Sequence, residues 1–241
     1  MQPPFSYLPN PGAYSNGSML RPAVVCDFDD TTAVENVALL LLEEFGGPDW
    51  RDFQKLNSQQ IISLKEYQER AFATIKVDRE AMKALVREKA TLRPQFRDLY
   101  EYCQSKKIPL VIATLGLDFY VEALLEREGL QSIPYYAADT QFTNGSMSFG
   151  YRYTSEKCWQ PGNCKCLVLE GLRSQGCNTI LYAGDGKSDV CPAMNSDLVF
   201  ARRYLEERFL AWRLPFTPLR DFSPVLDSLK ALAWGATEAQ R

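Results

Sequence analysis

The chain has 241 residues, of which 46% are hydrophobic, enough for one large domain or a core domain with a smaller insert. Its formal net charge of -3 argues against nucleic acid as a partner, because nucleic-acid binding depends on neutralising phosphates. No apolar run reaches the length of a membrane span, and the first residues lack the pattern of a secretory signal. We therefore expect a cytoplasmic monomer or homodimer with no nucleic-acid or membrane partner.

Histidine is absent from the chain. This absence excludes mechanisms that need an imidazole, such as Ser-His-Asp triads, Cys-His dyads and histidine-ligated zinc. Acid–base chemistry therefore depends on Asp, Glu, Lys, Tyr or Cys. The seven cysteines are an odd number in a chain too long to need disulfide staples, so we expect reduced thiols.

The first third of the chain predicts one strand followed only by helices. Residues 1–20 are rich in Pro, Gly, Ser and Asn, which predicts an irregular lead-in. The β-branched run at 23–28 predicts a buried strand. Helical periodicity then predicts helices at 34–45, 63–75 and 78–89. We interpret residues 33–92 as an all-helical cap domain inserted after the first strand.

Strands and helices alternate along the rest of the chain. Strands are predicted at 108–113, 133–138, 178–182 and 197–201, and helices at 94–105, 118–128, 166–174, 189–194 and from Ser223 onward. Asn144-Gly145 predicts a hairpin turn between residues of strand character at 140–143 and 147–153. The alternation predicts an α/β fold with a Rossmann-like, doubly wound parallel sheet, whose core comprises 21–32 and 93–241.

Polar residues follow the strands of this predicted sheet, at the edge where an open parallel sheet binds ligands. The first strand leads into Asp27, Asp29 and Asp30, three carboxylates that repel one another unless something offsets their charge. The later sites are Thr114-Leu115-Gly116, Lys165, and Asp185 with Asp189. Carboxylates with one amine and backbone donors suit Mg²⁺ together with a phosphate group.

Other phosphate and metal motifs fit the spacing poorly. Gly186-Lys187-Ser188 lacks the earlier glycine of a P-loop, where Leu181 stands instead. No cysteine has the arginine six positions later that a cysteine-phosphatase loop needs. A zinc site at Cys158, Cys164 and Cys166 remains an alternative, although the spacing is poor and a fourth ligand is not evident.

In this order, the four polar sites resemble the four motifs of the haloacid dehalogenase superfamily of aspartate-nucleophile phosphatases, from Ala23 to about Phe222. The resemblance implies that Asp27 is the nucleophile and that Asp29 protonates the leaving alcohol and then deprotonates water. It also implies that Mg²⁺ is held by Asp27, by the backbone carbonyl of Asp29 and by Asp185, with Asp189 supporting the metal or its waters.

The same resemblance assigns the phosphate-binding groups. It implies that Thr114 and the backbone N–H groups of Leu115 and Gly116 bind phosphate oxygens, and that Lys165 offsets negative charge. Thr31 and Glu35 are further substrate-binding candidates, each with a simpler alternative. Thr31 can cap the helix that follows, and Glu35 can be an ordinary helix-surface glutamate. We interpret Asp30 as an exposed acid at the start of that helix.

The position of the cap resembles the phosphoserine-phosphatase-like branch of the superfamily. Within it, Cys158 and Cys164-Lys165-Cys166 resemble the cysteine-rich segment of the 2-hydroxy-3-keto-5-methylthiopentenyl-1-phosphate phosphatases of methionine salvage, as does the run 196–202. Asp30 departs from that family, which usually has glycine there. Asp185-Gly186 and Glu35-Asn36 also resemble phosphocholine and phosphoethanolamine phosphatases.

These observations predict a Mg²⁺-dependent hydrolase of a small-molecule phosphomonoester. The methionine-salvage enol phosphate, phosphocholine, phosphoethanolamine, phosphoserine and thiamine phosphate all remain candidate substrates. A metal-free dehalogenase would leave Asp29 and Asp185 without a role. A phosphomutase and a catalytically inactive binding or regulatory protein also remain candidate functions.

Overall fold

The computed structural model describes residues 20–143, 146–158 and 161–238. All but the last residue of the predicted lead-in at 1–20 lies outside the described residues, as do Asn144 and Gly145 of the predicted hairpin turn. The two strands that flank this turn pair antiparallel, with Thr143 opposite Ser146. No helix of the described ranges is both long and apolar enough to cross a membrane.

The strands of the described chain form one seven-stranded sheet. They are β1 (Pro22–Cys26), β2 (Leu110–Leu117), β3 (Tyr135–Thr143), β4 (Ser146–Gly150), β5 (Thr179–Gly184), β6 (Leu198–Ala201) and β7 (Thr217–Pro218). Their order in the sheet is β4-β3-β2-β1-β5-β6-β7. Strands β3 and β4 pair antiparallel. The parallel pairs are β1–β5, β2–β3, β5–β6 and β6–β7. This mostly parallel sheet confirms the predicted α/β class.

Most of the helices lie near their predicted positions. They are α1 (Val37–Phe45), α2 (Trp50–Ser58), α3 (Leu64–Phe72), α4 (Arg79–Lys89), α5 (Phe96–Lys106), α6 (Asp118–Arg127), α7 (Lys165–Ser174), α8 (Val190–Met194), α9 (Arg203–Trp212) and α10 (Ser223–Glu238). Side-chain caps set several starts: Asn36, Ser63 and Asp78 each accept a backbone N–H three residues later. The sequence did not predict α2, α9 or β7.

The described chain divides into two compact units. The first comprises the residues up to Asp27, Arg93–Val111 and the residues from Val168 onward, and the second comprises Phe28–Leu92 and Ile112–Leu167. Helices α1 to α4 all lie within 33–92, the range interpreted as a cap. The boundaries of that cap domain stay a prediction.

The core of the first unit is built on β1 and β5. Ala23, Val24, Val25 and Cys26 have no exposed surface, as expected of a central strand with apolar residues on both faces. The rings of Phe96 on α5 and Phe222 before α10 meet edge to face, with centroids 4.9 Å apart.

In the second unit, α4 packs on α6 through ion pairs. Arg79 lies 2.7 Å from the Glu122 carboxylate, and Lys83 lies 3.0 Å from Glu122 and 3.2 Å from Glu126. Lys83 is only 4% exposed, so its ammonium group depends on these two carboxylates for compensation. The network fixes the end of the helical stretch against the helix that follows β2.

Candidate active site

Two of the predicted site carboxylates follow neighbouring parallel strands of the first unit. Strand β1 pairs with β5, with Cys26 opposite Ala183. The backbone N–H of Asp27 continues this pairing by donating to the Ala183 carbonyl at 2.9 Å. Asp27 and Asp185, which follow the last residues of the two strands, therefore lie at the same edge of the sheet.

Asp189 joins these two residues to form a carboxylate cluster. One oxygen from each of Asp27, Asp185 and Asp189 lies within 4.8 Å of the others. Asp27 is 6% exposed and Asp189 has no exposed surface, so their mutual repulsion is poorly screened by water. Among the described residues this is the one group of three or more potential metal ligands. Cys158, Cys164 and Cys166 therefore form no such group, and no disulfide joins any of the seven cysteines.

The Asp189 carboxylate also holds the loop that carries Asp185. Its Oδ1 accepts from the Tyr182 hydroxyl at 2.6 Å, and its Oδ2 accepts from the backbone N–H groups of Asp185 at 3.0 Å and Gly186 at 2.8 Å. A Cβ at Gly184 would lie 2.6 Å from Cγ of Asp189. Gly184 therefore permits the close approach that brings Asp189 to this loop.

The donor set fits a hard divalent cation such as Mg²⁺. Mg²⁺ is held in proteins by one or two carboxylates and keeps water or phosphate oxygens at its other positions. Asp189 already accepts three hydrogen bonds, which makes Asp27 and Asp185 the more suitable direct ligands. A bound cation would offset the repulsion within the cluster.

Asp29 lies in the second unit, at the N-terminus of α1. Its Oδ1 accepts from the backbone N–H groups of Val37 at 2.7 Å and Ala38 at 3.2 Å. Its Oδ2 accepts from the Tyr120 hydroxyl at 2.7 Å. Both oxygens of this half-buried carboxylate are therefore hydrogen-bonded.

Burial raises the pKa of Asp29 from 3.8 to about 6, and the charge of Asp30 acts in the same direction. The hydrogen bonds from Tyr120 and from the backbone of Ala38 and Val37 act in the opposite direction but do not cancel the effect of burial. A carboxyl group with this pKa is populated in both protonation states near neutral pH. That property is what acid–base chemistry requires of a side chain.

The interpretation of Asp30 as an exposed acid at a helix start is wrong. Asp30 is 6% exposed, and its Oδ2 accepts from the Asn36 side chain at 3.0 Å. Helix α1 begins at Val37, with Asn36 as its cap. Asp30 has a left-handed backbone with φ of 59°, a conformation that glycine adopts most readily. A glycine would therefore fit this position without backbone strain.

Thr31 is fully buried in the tight turn Phe28–Thr32. Since Asn36 caps α1, the alternative that Thr31 caps this helix is also wrong. Its role in substrate binding stays a prediction.

Glu35 contacts the other end of the helical stretch. Its Oε2 accepts from the backbone N–H of Thr91 at 2.7 Å, and its Oε1 accepts from the Thr91 hydroxyl at 2.9 Å. The backbone N–H of Val34 donates to the Thr91 carbonyl at 2.9 Å, and Ala33 forms a β-bridge with Leu92. Glu35 thus links the two chain segments at which the predicted cap begins and ends. Its contact with substrate stays a prediction.

Thr114, Leu115 and Gly116 lie within β2, not beyond it. The predicted strand end at 113 is wrong, because β2 continues to Leu117. Its pairing with β3 shifts register between Ala113 and Leu117, so the segment is irregular. The backbone N–H of Gly116, a predicted phosphate donor, donates to Thr114 Oγ1 at 2.9 Å.

Gly116 packs against the Asp29–Tyr120 pair. A Cβ on Gly116 would overlap the Tyr120 hydroxyl and lie 2.9 Å from Oδ2 of Asp29. The structure therefore brings together two predicted site residues, Asp29 and Gly116, that lie far apart in the sequence.

Lys165 is the first residue of α7 and is 5% exposed. The backbone before it is anchored to the segment after β4. Tyr153 N–H donates to Oδ1 of Asn163 at 3.2 Å, and Cys164 N–H donates to the Tyr153 carbonyl at 2.7 Å. A buried ammonium group requires nearby acceptors or negative charge. The role of Lys165 beside a phosphate group stays a prediction.

Sequence reasoning missed Tyr120 and Tyr182, which contact the site carboxylates Asp29 and Asp189. Each stands in an apolar stretch, where a tyrosine is indistinguishable from a core residue. One signal was available, because a buried tyrosine hydroxyl needs a hydrogen-bond partner.

Comparisons with known proteins agree with this fold. The family model of the haloacid dehalogenase-like hydrolases matches residues 24–194. The 2-hydroxy-3-keto-5-methylthiopentenyl-1-phosphate phosphatase of Bacillus velezensis is 28% identical over 207 residues, covering 85% of this chain and 88% of that protein. The protein of the same name from Brevibacillus brevis is 25% identical over 208 residues, covering 85% and 93%.

A solved structure also shares the fold. The phospho-aspartyl intermediate analogue of phosphoserine phosphatase has a TM-score of 0.66 at 15% identity, covering 88% of this chain and 99% of that chain. The predicted fold class is thereby confirmed. The predicted enzyme class, a phosphoric monoester hydrolase, is confirmed by the family match and the named phosphatases. The family model spans more than half of the sequence, and the chain belongs to the haloacid dehalogenase-like hydrolases.

Proposed function

We propose that this hydrolase is a Mg²⁺-dependent phosphatase that transfers the phosphoryl group of a small phosphomonoester first to Asp27 and then to water. The observation that carries the proposal is the cluster of Asp27, Asp185 and Asp189, whose oxygens lie within 4.8 Å of one another. The raised pKa of Asp29 supports an acid–base role for this residue, which follows Asp27 by two positions in the sequence.

The Asp27 and Asp185 side chains and the backbone carbonyl of Asp29 would hold the Mg²⁺ ion, and Asp189 would brace the loop of Asp185. The bound ion would neutralise negative charge on the phosphate group and on the cluster. Asp189 would act mainly through the hydrogen bonds that fix the backbone of Asp185 and Gly186.

In the first half-reaction, an Asp27 carboxylate oxygen attacks phosphorus as the ester P–O bond breaks. The protonated Asp29 carboxyl gives its proton to the departing ester oxygen, which leaves as an alcohol. In the second half-reaction, ionised Asp29 takes a proton from water, and the water oxygen attacks phosphorus. The Asp27–phosphate bond then breaks, which releases inorganic phosphate and restores both carboxyl groups.

Other residues would bind the phosphate oxygens. Thr114 and the backbone N–H groups of Leu115 and Gly116 would donate hydrogen bonds to them. Lys165 would add positive charge beside the phosphate and Asp27. Thr31 would hold the turn that follows the nucleophile.

For the substrate, we propose the enol phosphate 2-hydroxy-3-keto-5-methylthiopentenyl-1-phosphate. This choice is supported by the relatives of that name, which match at 25–28% identity over most of the chain. The likeness to phosphoserine phosphatase, at 15% identity, supports the fold alone.

A panel of phosphomonoesters assayed with Mg²⁺ tests the proposal. It includes the enol phosphate, phosphoserine, phosphocholine, phosphoethanolamine, thiamine phosphate and a generic aryl phosphate. We expect phosphate release that a chelator abolishes, that is fastest with the enol phosphate and that Asp27→Asn lacks. Preference for another ester would replace the substrate assignment but leave the phosphatase mechanism in place.

Three further outcomes would overturn the mechanism. Release of halide from a haloacid in the presence of the chelator would favour a metal-free dehalogenase. Movement of phosphate between positions without release would indicate a phosphomutase. Stoichiometric binding of a phosphate analogue without turnover would indicate a binding or regulatory protein.

A further inference from the structure

We propose that Tyr120 is a positioning residue that aims Oδ2 of Asp29, and that Oδ2 is the oxygen through which the proton passes. The inference rests on the proposed acid–base role of Asp29 and adds to it both the oxygen and the residue that directs it. It is carried by the hydrogen bonds around the Asp29 carboxyl group.

The two oxygens of Asp29 have different partners. Oδ1 accepts from two backbone N–H groups, those of Val37 at 2.7 Å and Ala38 at 3.2 Å. These amides belong to the first turn of α1, where no intrahelical acceptor is available to them, so they hold Oδ1 as an acceptor. Protonating Oδ1 would replace an accepting lone pair with a donor that faces two other donors. Oδ2 is therefore the oxygen suited to carry the exchangeable proton.

The hydroxyl of Tyr120 sets the direction of Oδ2. It donates to Oδ2 at 2.7 Å, a short bond that is typical of a charge-assisted contact. With two donors on Oδ1 and one on Oδ2, the carboxyl plane is fixed about its Cβ–Cγ bond. A carboxylate oxygen has two lone pairs, so the one bond from Tyr120 leaves Oδ2 a second lone pair for exchange with a substrate oxygen or a water molecule.

The ring of Tyr120 is itself held rigidly. Its side chain has no exposed surface. It stacks on Phe28 with centroids 5.7 Å apart and an interplanar angle of 26°, and it meets Phe119 edge to face at 5.6 Å. A tyrosine packed in this way keeps its hydroxyl at one position at little further cost in conformational entropy.

Gly116 provides the space for this contact. A Cβ at Gly116 would overlap the Tyr120 hydroxyl and lie 2.9 Å from Oδ2 of Asp29. Strand β2, which carries the predicted phosphate donors, therefore packs closely against both Tyr120 and Asp29.

The proton balance does not involve the proton of Tyr120. In the first half-reaction, the proton moves from Oδ2 to the ester oxygen as the P–O bond breaks. In the second, Oδ2 takes a proton from the attacking water. Tyr120 keeps its own hydroxyl proton in both steps and acts only through the orientation of Asp29.

Tyr120→Phe tests the inference because it removes one oxygen and retains the ring. General acid–base catalysis contributes about 10²–10⁴-fold, so loss of its alignment should lower kcat for an alkyl phosphate by about 10–100-fold. KM should change by less than about threefold, since the phosphate donors remain. The first-turnover burst of an aryl phosphate, whose leaving group departs without a proton, should change little.

Tyr102→Phe on α5 is the matched control and should retain the wild-type kinetics. Gly116→Ala is a second variant, which keeps the hydroxyl but displaces it and should produce the same dependence on the leaving group. Adding Tyr120→Phe to Asp29→Asn should cause no further loss of kcat, because both changes act on one function.

Equal slowing of the first-turnover burst for alkyl and aryl substrates in Tyr120→Phe would overturn the inference, as would an effect on KM alone or no effect at all. If Asp29→Asn impairs kcat and Tyr120→Phe does not, only this inference fails. If Asp29→Asn itself leaves kcat unchanged, the proposed function fails with it.

Discussion

The hydroxyl of Tyr182 donates to Oδ1 of Asp189 at 2.6 Å, and neither side chain has exposed surface. The other oxygen of Asp189 holds the backbone of Asp185 and Gly186. The orientation of one buried carboxylate therefore depends on a tyrosine from strand β5 and determines the position of a proposed metal ligand.

Tyr182→Phe should weaken the response to Mg²⁺. A hydrogen bond to a charged group contributes about 1.5–3 kcal/mol. Part of this free energy should be lost from Mg²⁺ binding, because Asp189 positions the loop of Asp185. We expect the Mg²⁺ concentration for half-maximal activity to rise by roughly three- to tenfold, with kcat at saturating Mg²⁺ lowered less. A titration of activity with Mg²⁺ measures both the half-maximal concentration and kcat. If the half-maximal concentration is unchanged in Tyr182→Phe, the orientation of Asp189 does not affect Mg²⁺ binding.

The ionisation of Asp29 should make the activity fall on the basic side of its pH profile. Its pKa is raised to about 6 by burial, and the first half-reaction needs its protonated form. The value of kcat/KM for an alkyl phosphate should therefore fall as the pH rises above about 6. Asp29→Asn, which cannot titrate, should lose this pH-dependent fall together with most of the activity. A profile that keeps the same fall in Asp29→Asn would assign it to another group.

Asp30 should tolerate glycine but not a β-branched residue. Its φ of 59° costs glycine nothing, whereas for valine such a backbone costs about 1–3 kcal/mol. Asp30→Gly should lose the Asn36 hydrogen bond and lower the free energy of unfolding by no more than about 1 kcal/mol. Asp30→Val should lower it more, and urea unfolding measures both.

The activity of the same two variants tests the separation of Asp30 from the catalytic carboxylates. Asp30→Gly should retain most of kcat, in contrast to Asp27→Asn. A loss in Asp30→Gly as large as that in Asp27→Asn would show that Asp30 takes part in the chemistry.

Glu35 and Thr91 should behave as one structural unit. Both oxygens of Glu35 accept hydrogen bonds from Thr91. Glu35→Gln and Thr91→Val should each lower the free energy of unfolding by about 0.5–1.5 kcal/mol, and the double variant should lose less than the sum. If Glu35→Gln raises KM and Thr91→Val does not, Glu35 contacts substrate as the sequence predicts.

The elements that sequence reasoning located have strong local signals. Strands β1 and β5 are apolar runs that end abruptly in Asp27 and in Gly184-Asp185, and the parallel-sheet rule places these ends together. Ser63 and Asp78 cap their helices as their residue types suggest.

The errors arose where tertiary contacts override local pattern. Thr114 and Gly116 resemble a strand end, yet β2 continues through them because pairing resumes at Leu117. Helix α2 is polar over most of its surface, with Trp50 as its buried residue, so few apolar residues mark it as a helix in the sequence. The contact of Asp29 with Tyr120 depends on long-range packing that no local spacing reveals, since the two residues lie far apart in the sequence.

Acid-quench trapping tests the central claim, that Asp27 is the nucleophile, most directly. The enzyme is mixed with substrate and Mg²⁺, quenched with acid during turnover and digested for mass spectrometry. We predict one phosphoryl group on Asp27, removed by hydroxylamine and absent from Asp27→Asn. A phosphoryl group on another residue, or rapid turnover with no labelled Asp27 at any quench time, would contradict the account.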